Sequence, residues 1–331
     1  MSASDHALVV GINSYSKLRT LRGAEADALA MRDWLAATRG GDVPEDQITT
    51  ILSSDYPAPS HPTMARPMTD DIRAEIERLI DDAGPSLRLG RRLYLYLAGH
   101  GFAPSIDESA LLMANASAAT LHHLPGVRYA NALRESTVFE EIVLIMDCCR
   151  DHVSRPPLID LGLPPIAVDN ADAAYFFAFA TRWSLGSREG VDEFGQVRGH
   201  FTRAILEGLH RESATSKSVM AYVCGRLPEL ADHRGYFAPE FRSEKTIRFR
   251  TGARTTAPPA CVVRVIFPEP RRGVTLRILD SDERIVAERP METSPWSLTL
   301  PRGLYELLRT DQAASPRQFR VPATGTIDVS A

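Results

Sequence analysis

The chain has 331 residues, of which 44% are apolar and 24% are charged, a composition typical of a soluble globular protein. Its formal net charge of −4, from 38 basic and 42 acidic residues, favours neither a nucleic-acid nor an anionic-membrane partner. The first residues, MSASDHALVVGIN, lack the regions of a signal peptide, and no apolar run approaches the roughly 20 residues of a membrane helix. We therefore expect a cytoplasmic protein.

The four cysteines, Cys148, Cys149, Cys224 and Cys261, do not indicate a disulfide framework, because two are adjacent in sequence and the other two are remote. A zinc site would need two ligand pairs at finger-like spacing. The chain has a single Cys-Cys pair and a His122–His123 pair without a matching partner. We therefore expect no metal site of this kind.

Alternating apolar runs and amphipathic segments predict an α/β fold over the first 250 residues. Buried parallel strands are continuous apolar runs. Such runs occur at residues 7–13, 48–52, 93–97, 142–146 and 173–180. Helical spacing of apolar residues predicts helices at residues 23–38, 69–80, 201–209 and 219–227, with Thr69 as the N-cap of the second. This alternation predicts a mostly parallel central sheet with helices on both faces.

The pattern changes after residues 251–259, a stretch rich in Thr and Pro that we interpret as a linker. Beyond it, short apolar runs are separated by Pro, Gly and Asp, at residues 262–267, 274–279, 285–288, 296–300, 304–309 and 318–321. Six short strands without a helix predict a small all-β sandwich. We expect a first domain at residues 1–250 and a second at residues 260–331.

Two of the predicted strands end next to residues with reactive side chains. The run in RRLYLYLAGHG is followed by His100, and the run in EEIVLIMDCCRD is followed by Asp147 and Cys149. Because ligands of open α/β sheets bind beyond the carboxyl ends of the strands, we expect the imidazole and the thiol in one crevice. A neighbouring imidazole can take the thiol proton and later deliver it to a leaving amine. The two motifs predict a cysteine nucleophile with its base.

With these motifs the chain resembles the caspase-like superfamily of cysteine peptidases, and within it the metacaspases and their bacterial relatives. Over roughly residues 5–210 the resemblance rests on ALVVGIN, GAEADA, YLAGHG, DCCRD and ATRWSLGSRE…GHFTRAILEGL. The 49 residues from His100 to Cys149 are close to the caspase spacing. The resemblance implies a caspase-like sandwich and an endopeptidase with a His100–Cys149 dyad. The backbone N–H groups of Gly101 and Cys149 would bind the oxyanion.

The chain departs from the metacaspase pattern around the nucleophile. Metacaspases usually have D-S-C-H-S-G where this chain has DCCRDH, so Cys148 stands at the serine position. Asp147 fixes the alignment and makes Cys149 the nucleophile, whereas we expect Cys148 to be a packing residue. Ala98 stands two residues before His100, where metacaspases often have serine.

Three acidic residues predict a preference for basic substrates. Asp147 lies two residues before the nucleophile, hence beside the pocket for the side chain that precedes the scissile bond. By resemblance, Asp27 matches an acidic position that metacaspases use in that pocket, and Glu189 is a further candidate. Carboxylates in a cleft favour Lys or Arg. Alternatives stay open: Asp147 could cap a strand end or pair with Arg150, and Asp27 could stabilise the first helix dipole.

The leading hypothesis is a cysteine endopeptidase that cleaves a protein substrate after Arg or Lys, in a bacterial stress or defence pathway by analogy with relatives. A non-catalytic caspase-fold scaffold is the alternative. Neither G-x-G-x-x-G after the first strand nor G-x-x-x-x-G-K occurs, which disfavours nucleotide binding. We expect no cofactor, because no ligand cluster supports the calcium that some metacaspases require. Control could lie in the Pro-rich segment 156–172, the β-domain, or an activating protein or ligand.

Overall fold

The structure is a computed structural model that describes residues 5–83, 89–136, 138–153, 173–192, 195–231, 238–249, 261–279, 285–300, 303–311, 316–321 and 326–330. The chain divides into two compact units, an N-terminal unit (Met1–Gly252) and a C-terminal unit (Ala253–Ala331). The expected linker at 251–259 and the Pro-rich segment 156–172 lie outside the described residues.

The described part of the N-terminal unit contains strands and helices in alternation. Its strands are β1 (Asp5–Gly11), β2 (Ile48–Leu52), β3 (Gly90–Ala98), β4 (Gly101–Ala103), β5 (Ala110–Leu112), β6 (His123–Leu124), β7 (Phe139–Asp147), β8 (Asp151–His152), β9 (Ala174–Phe179), β10 (Glu189–Val191), β11 (Val197–Gly199) and β12 (Glu240–Ser243). Its helices are α1 (Ala24–Ala36), α2 (Thr69–Asp82), α3 (Gly126–Glu135), α4 (His200–Leu209) and α5 (Ser216–Leu230).

Six strands form the central sheet in the order β12-β9-β7-β3-β1-β2. The five strands from β9 to β2 are parallel, and β12 runs antiparallel at one edge. The smaller strands form a β6-β5-β4-β8 sheet and a β10-β11 hairpin. The predicted α/β architecture with a mostly parallel sheet is therefore confirmed.

Helices cover both faces of this sheet because alternate residues of each strand point to opposite faces. On one face, side chains such as Leu95 and Leu144 pack in a buried cluster with residues of α2 and α3. On the other face, Tyr96 and Ile145 belong to a second cluster with residues of α1, α4 and α5. The middle parts of β1, β3 and β7 are continuous apolar runs because both of their faces are buried.

The second helix begins differently from the prediction. Thr69 is the first helical residue rather than the N-cap, and its hydroxyl donates to the His123 carbonyl oxygen at 2.9 Å. The N-cap is Met68, whose backbone N–H donates to the Asp71 carboxylate at 2.7 Å. The backbone N–H at the start of the helix is thus bound by the side chain of Asp71, the third helical residue. The prediction of Thr69 as the N-cap was wrong.

The described part of the C-terminal unit is all-β. Its strands are β13 (Cys261–Ile266), β14 (Thr275–Leu279), β15 (Ile285–Pro290), β16 (Trp296–Leu300), β17 (Gly303–Arg309), β18 (Arg317–Val321) and β19 (Thr326–Ser330). They form a β16-β13-β19 sheet and a β15-β14-β17-β18 sheet, which share one apolar cluster. The last strand was not predicted, and it pairs parallel to β13 rather than as a hairpin.

Candidate active site

The register of β3 and β7 positions the two reactive residues. Ala98, at the end of β3, is the register partner of Asp147, at the end of β7. His100 and Cys149 each follow two residues after this pair. Because β3 and β7 are parallel neighbours, both residues leave the sheet at the same edge.

A cavity of about 850 Å³ opens at this edge, and it contains most of the predicted site. Both His100 and Cys149 line it, as do the three acidic candidates Asp27, Asp147 and Glu189. Among the described residues, the lining consists of Arg19, Thr20, Leu21, Arg22, Ala24, Asp27, Ala98, Gly99, His100, Asp147, Cys149, Ser187, Arg188, Glu189, Gly190, Val191, Val197 and Gly199. Gly101 does not line the cavity and pairs with Leu111 in the β4–β5 ladder.

Two contacts fix the imidazole of His100. Its Nε2 lies 2.7 Å from the carbonyl oxygen of Arg19. A carbonyl oxygen only accepts hydrogen bonds, so Nε2 carries the proton and a neutral ring has its lone pair on Nδ1. The ring also packs against Tyr15, with 4.8 Å between ring centroids, and the backbone N–H of His100 donates to the Tyr15 hydroxyl at 2.8 Å.

The thiol of Cys149 is half-buried and contacts the segment that follows β9. The backbone N–H of Ser187 donates to its Sγ at 3.3 Å. Burial raises the pKa of the Cys149 thiol, and the neighbouring carboxylates of Asp151 and Asp147 raise it further, against a lowering by the Ser187 N–H. The resting thiol is therefore protonated and needs a base to become a nucleophile.

Cys148 is in a different environment although it is the next residue. Its side chain is buried, and a Cβ built on Gly101 would lie 2.5 Å from its Sγ. Burial also raises the pKa of Cys148 well above that of a free thiol. This thiol does not line the cavity, as expected of a packing residue.

Asp147 forms part of the cavity floor and is held by two residues. Its Oδ1 accepts from the Ser187 hydroxyl at 2.9 Å. Its Oδ2 accepts from the Thr202 hydroxyl at 2.7 Å and from the Thr202 backbone N–H at 3.2 Å. Burial raises the pKa of Asp147, and these hydrogen bonds oppose the rise. The pairing with Arg150 does not form, because Arg150 binds Glu240 at 2.5 Å.

Asp27 lies beside Asp147 and has the only charged partner on the described floor. Its Oδ1 accepts from Nε of Arg198 at 2.5 Å, and its Oδ2 accepts from the Gly199 backbone N–H at 2.6 Å. Burial and the Asp147 charge raise the pKa of Asp27 to about 7, despite the lowering effect of Arg198. Of the two carboxylates, Asp27 binds the guanidinium of Arg198, whereas Asp147 is held by Ser187 and Thr202.

Gly199 separates the two carboxylates and leaves no room for a side chain. A Cβ at this position would lie 2.3 Å from Oδ2 of Asp147 and 2.8 Å from Oδ2 of Asp27. Real Cβ atoms do not approach oxygen this closely, so any larger residue would displace one of the carboxylates. The glycine allows both acids to face one space.

Glu189 lines a wall of the cavity, and its carboxylate already has partners. It accepts from the Gly23 backbone N–H at 2.7 Å and from the Arg22 backbone N–H at 3.3 Å. These donors stand at the start of α1, where a negative charge is favourable. Glu189 therefore differs from Asp27 and Asp147 in being exposed and bound to a helix N-terminus.

Several residues that hold the site were not predicted from the sequence. Ser187 and Thr202 hold Asp147, Arg198 holds Asp27, and the Arg19 carbonyl holds His100. Ser187 lies in the LGSRE segment that carried the resemblance, which was the available signal. Arg19 contacts His100 through its backbone carbonyl, which every residue has, so the residue type at position 19 could not indicate this contact.

The described residues contain no group of three or more His, Cys, Asp or Glu side chains arranged to hold a metal ion. Among the helices of the described chain, none has both the length and the apolar character required to cross a membrane.

Comparison with known proteins identifies the family. The caspase domain model matches residues 4–245. A probable protease of a Desulfuromonadales bacterium is 31% identical over 218 residues, which are 61% of this chain and 25% of that protein, so the chain spans about a quarter of this relative's length.

Two solved structures are also similar. One is a protein of Geobacter sulfurreducens, with 17% identity and a TM-score of 0.47, covering 72% of this chain and 93% of that one. The other is caspase-1 of Spodoptera frugiperda, with 12% identity and a TM-score of 0.48, covering 75% and 91%. Because the caspase domain model matches most of the sequence, this chain belongs to the caspase-domain family of peptidases.

Proposed function

We propose that this protein is a cysteine endopeptidase that uses His100 as base and Cys149 as nucleophile and cleaves after arginine or lysine. The caspase domain match and the probable-protease relative support a proteolytic function on protein substrates. The observation that carries the finer proposal is the single cavity that brings the thiol, the imidazole and two buried carboxylates together.

The contacts of His100 support its role as the base. With the proton of Nε2 directed at the Arg19 carbonyl, Nδ1 is the nitrogen able to accept the proton of Cys149 Sγ. The sulfur then forms a bond to the substrate carbonyl carbon, and the carbonyl π electrons move to oxygen. When that tetrahedral species collapses, the imidazolium gives its proton to the leaving amine, and water later hydrolyses the thioester.

The oxyanion would be bound by backbone N–H groups of Gly101 and Cys149. Among the described residues, the Cys149 amide donates no hydrogen bond, so this donor is available to a substrate. Gly101 directly follows His100 and is the first residue of β4, and its position is fixed by the pairing with Leu111.

The cavity floor supports a basic residue before the scissile bond. Each carboxylate oxygen can accept about two hydrogen bonds. Asp147 Oδ1 and the two oxygens of Asp27 each accept one hydrogen bond from the protein, so each can accept one more from a ligand. A guanidinium offers five donors and a positive charge to such a site, whereas an aspartate side chain would be repelled.

The test is a panel of fluorogenic peptides with Arg, Lys or Asp before the scissile bond. We expect Arg and Lys peptides to be cleaved and the Asp peptide to be resistant. Cys149→Ala should lower kcat/KM at least about 1,000-fold, as removal of a catalytic nucleophile does, while Cys148→Ala should keep most of the activity. Equal cleavage by wild type and Cys149→Ala would refute the proposal.

A labelling experiment separates the peptidase from a non-catalytic scaffold. An electrophilic Arg peptide should modify Cys149 in the wild type, as measured by intact mass, and should leave Cys149→Ala unmodified. In a scaffold that only binds partners, the electrophilic peptide would label Cys149 no faster than it labels a free thiol in solution.

The proposal includes a cellular setting, in which the pathway is inferred by analogy with relatives. We propose that the protein acts in the cytoplasm, in a bacterial stress or defence pathway, and that the C-terminal unit recruits a substrate or an activating protein. Small β-domains support such a role because they present loops and strand edges for binding. A variant of the C-terminal unit that kept peptide cleavage but lost cleavage of a natural protein substrate would support this assignment.

A further inference from the structure

The candidate cavity has opposite charges at its floor and at its mouth. The floor contains the buried carboxylates of Asp27, which binds Arg198, and of Asp147, which is held by hydroxyl and backbone N–H groups. The lining also includes Arg19 and Arg22, both of which are exposed. A ligand that fits both regions must therefore present a positive group to the floor and a negative group to the mouth.

The guanidinium groups of Arg19 and Arg22 have no ion-pair or hydrogen-bond partner within the described residues. Other arginines near the site do have partners. Arg198 binds Asp27, and Arg150 binds Glu240. Two unpaired cations on one segment that lines the cavity leave a positive field at its mouth.

The position of Arg19 relative to the reacting bond follows from its contact with the imidazole. Its carbonyl oxygen accepts from Nε2 of His100, so residue 19 lies against the ring. In the proposed mechanism this ring gives its proton to the leaving amine, and it must therefore lie on the leaving-group side. Because Arg19 also lines the cavity with an exposed side chain, its guanidinium can reach the substrate residue that follows the scissile bond.

We propose that the substrate carries an acidic residue directly after the basic residue at which it is cut, and that Arg19 reads it. This inference rests on the proposed function and specifies its substrate class. Arg22 contributes less, because its own backbone N–H binds the Glu189 carboxylate, which partly offsets its charge. A lysine or arginine after the scissile bond is disfavoured by the same field.

The test uses the full chain and three internally quenched peptides that differ at one position. All have Arg before the scissile bond, and they have Glu, Gln or Lys after it. An exposed ion pair changes binding by up to about fivefold. We therefore expect kcat/KM for Glu to exceed that for Gln about threefold and that for Lys about tenfold at low salt. In about 0.5 M NaCl the differences should shrink, because screening weakens exposed charges.

Two substitutions in one loop give a matched comparison. Arg19→Gln should bring the Glu-to-Gln ratio to about one, and the ratio is the readout because it cancels any change in overall activity caused at the His100 contact. Lys17→Gln removes the same charge from an exposed residue of the same loop that does not line the cavity, and it should keep the wild-type ratio.

The outcomes separate this inference from the proposed function. Cys149-dependent cleavage with equal rates for the Glu and Gln peptides would overturn the acidic preference alone. A wild-type preference retained in Arg19→Gln would overturn the role of Arg19. Absence of Cys149-dependent cleavage for every peptide would overturn both the proposed function and this inference.

Discussion

In the described part of the N-terminal unit twelve polar or charged side chains are buried, whereas that of the C-terminal unit buries apolar side chains and one thiol. The C-terminal interior thus serves packing, with residues such as Leu276 and Val263 fully enclosed. Burying a charge is costly unless it is paired, so each buried charge in the N-terminal unit requires an explanation.

Within the N-terminal unit the buried charges are of two kinds. Arg92 is compensated by Glu141 at 2.5 Å, by the Tyr94 hydroxyl and by the Arg248 carbonyl. Of Asp27 and Asp147, Asp27 binds a cation, Arg198, and Asp147 is held by the uncharged groups of Ser187 and Thr202. Buried charges that are fully paired stabilise the fold, whereas the incompletely paired carboxylates at the end of the sheet are suited to binding a ligand.

The largest effect is expected where a fully paired charge is broken. Arg150 is buried and donates to Glu240 and to the Ile106 carbonyl, so Arg150→Met would remove both hydrogen bonds and leave these acceptors to the partly exposed Arg242. We expect a loss of about 3 kcal/mol in the free energy of unfolding, measured by chemical denaturation. Arg242→Met, at a partly exposed partner of Glu240, should cost less than about 1 kcal/mol. Equal losses would contradict this distinction.

A substitution in the C-terminal core tests whether the two interiors serve different purposes. Leu276→Ala removes a buried side chain, and we expect unfolding of the C-terminal unit to lose about 2–3 kcal/mol in calorimetry. Cleavage of an Arg peptide should stay unchanged, because the cavity is lined by the N-terminal unit. Ile285→Ala, at an exposed side chain of the same sheet, is the control. A parallel loss of peptide cleavage would show that the site depends on the C-terminal unit.

Gly199→Ala tests whether the spacing of the two carboxylates matters. The added Cβ would overlap Asp147 Oδ2, and displacing that carboxylate should cost about 2 kcal/mol, or roughly thirtyfold in kcat/KM for Arg peptides. Gly225→Ala adds a Cβ with nothing within 4 Å and should keep full activity. An active Gly199→Ala variant with wild-type preference would exclude this floor as the specificity pocket.

The smallest expected effect is a pH dependence of substrate preference. Because the pKa of Asp27 is raised to about 7, this carboxyl is mostly neutral at pH 6 and mostly charged at pH 8. The ratio of kcat/KM for an Arg peptide to that for its neutral citrulline analogue should therefore rise with pH, up to about tenfold. Taking the ratio cancels titration of the dyad. In Asp27→Asn the rise of this ratio with pH should disappear. A rise that persisted would show that a group other than Asp27 causes the pH dependence.

The sequence predicted the elements whose pattern is local. Continuous apolar runs located the five parallel strands, and β2 and β16 were predicted at their observed bounds. Helix α3, GVRYANALRE, was missed because it is short and begins with Gly, a weak helix former, although Val127, Ala130 and Leu133 form its buried face. The parallel pairing of β13 with β19 joins segments some 60 residues apart, which no local pattern encodes.

The same limit applies to the site. His100, Cys149 and Asp147 were predicted because each adjoins the end of an apolar strand. Their supporting partners come from distant segments, as with Arg198 and Asp27, which are 171 residues apart. Such partners depend on how loops meet above the sheet, so the residue types were predictable and their contacts were not.

The protonated resting state of Cys149 also affects how fast this thiol is oxidised under oxidative stress. Peroxides attack thiolates far faster than thiols, so a nucleophile whose pKa is raised by burial is a poor target for them. The thiolate would exist mainly during turnover, when a substrate covers it. In the proposed mechanism, the burial that makes Cys149 dependent on His100 thus also protects its thiol from sulfenic acid formation between encounters with substrate.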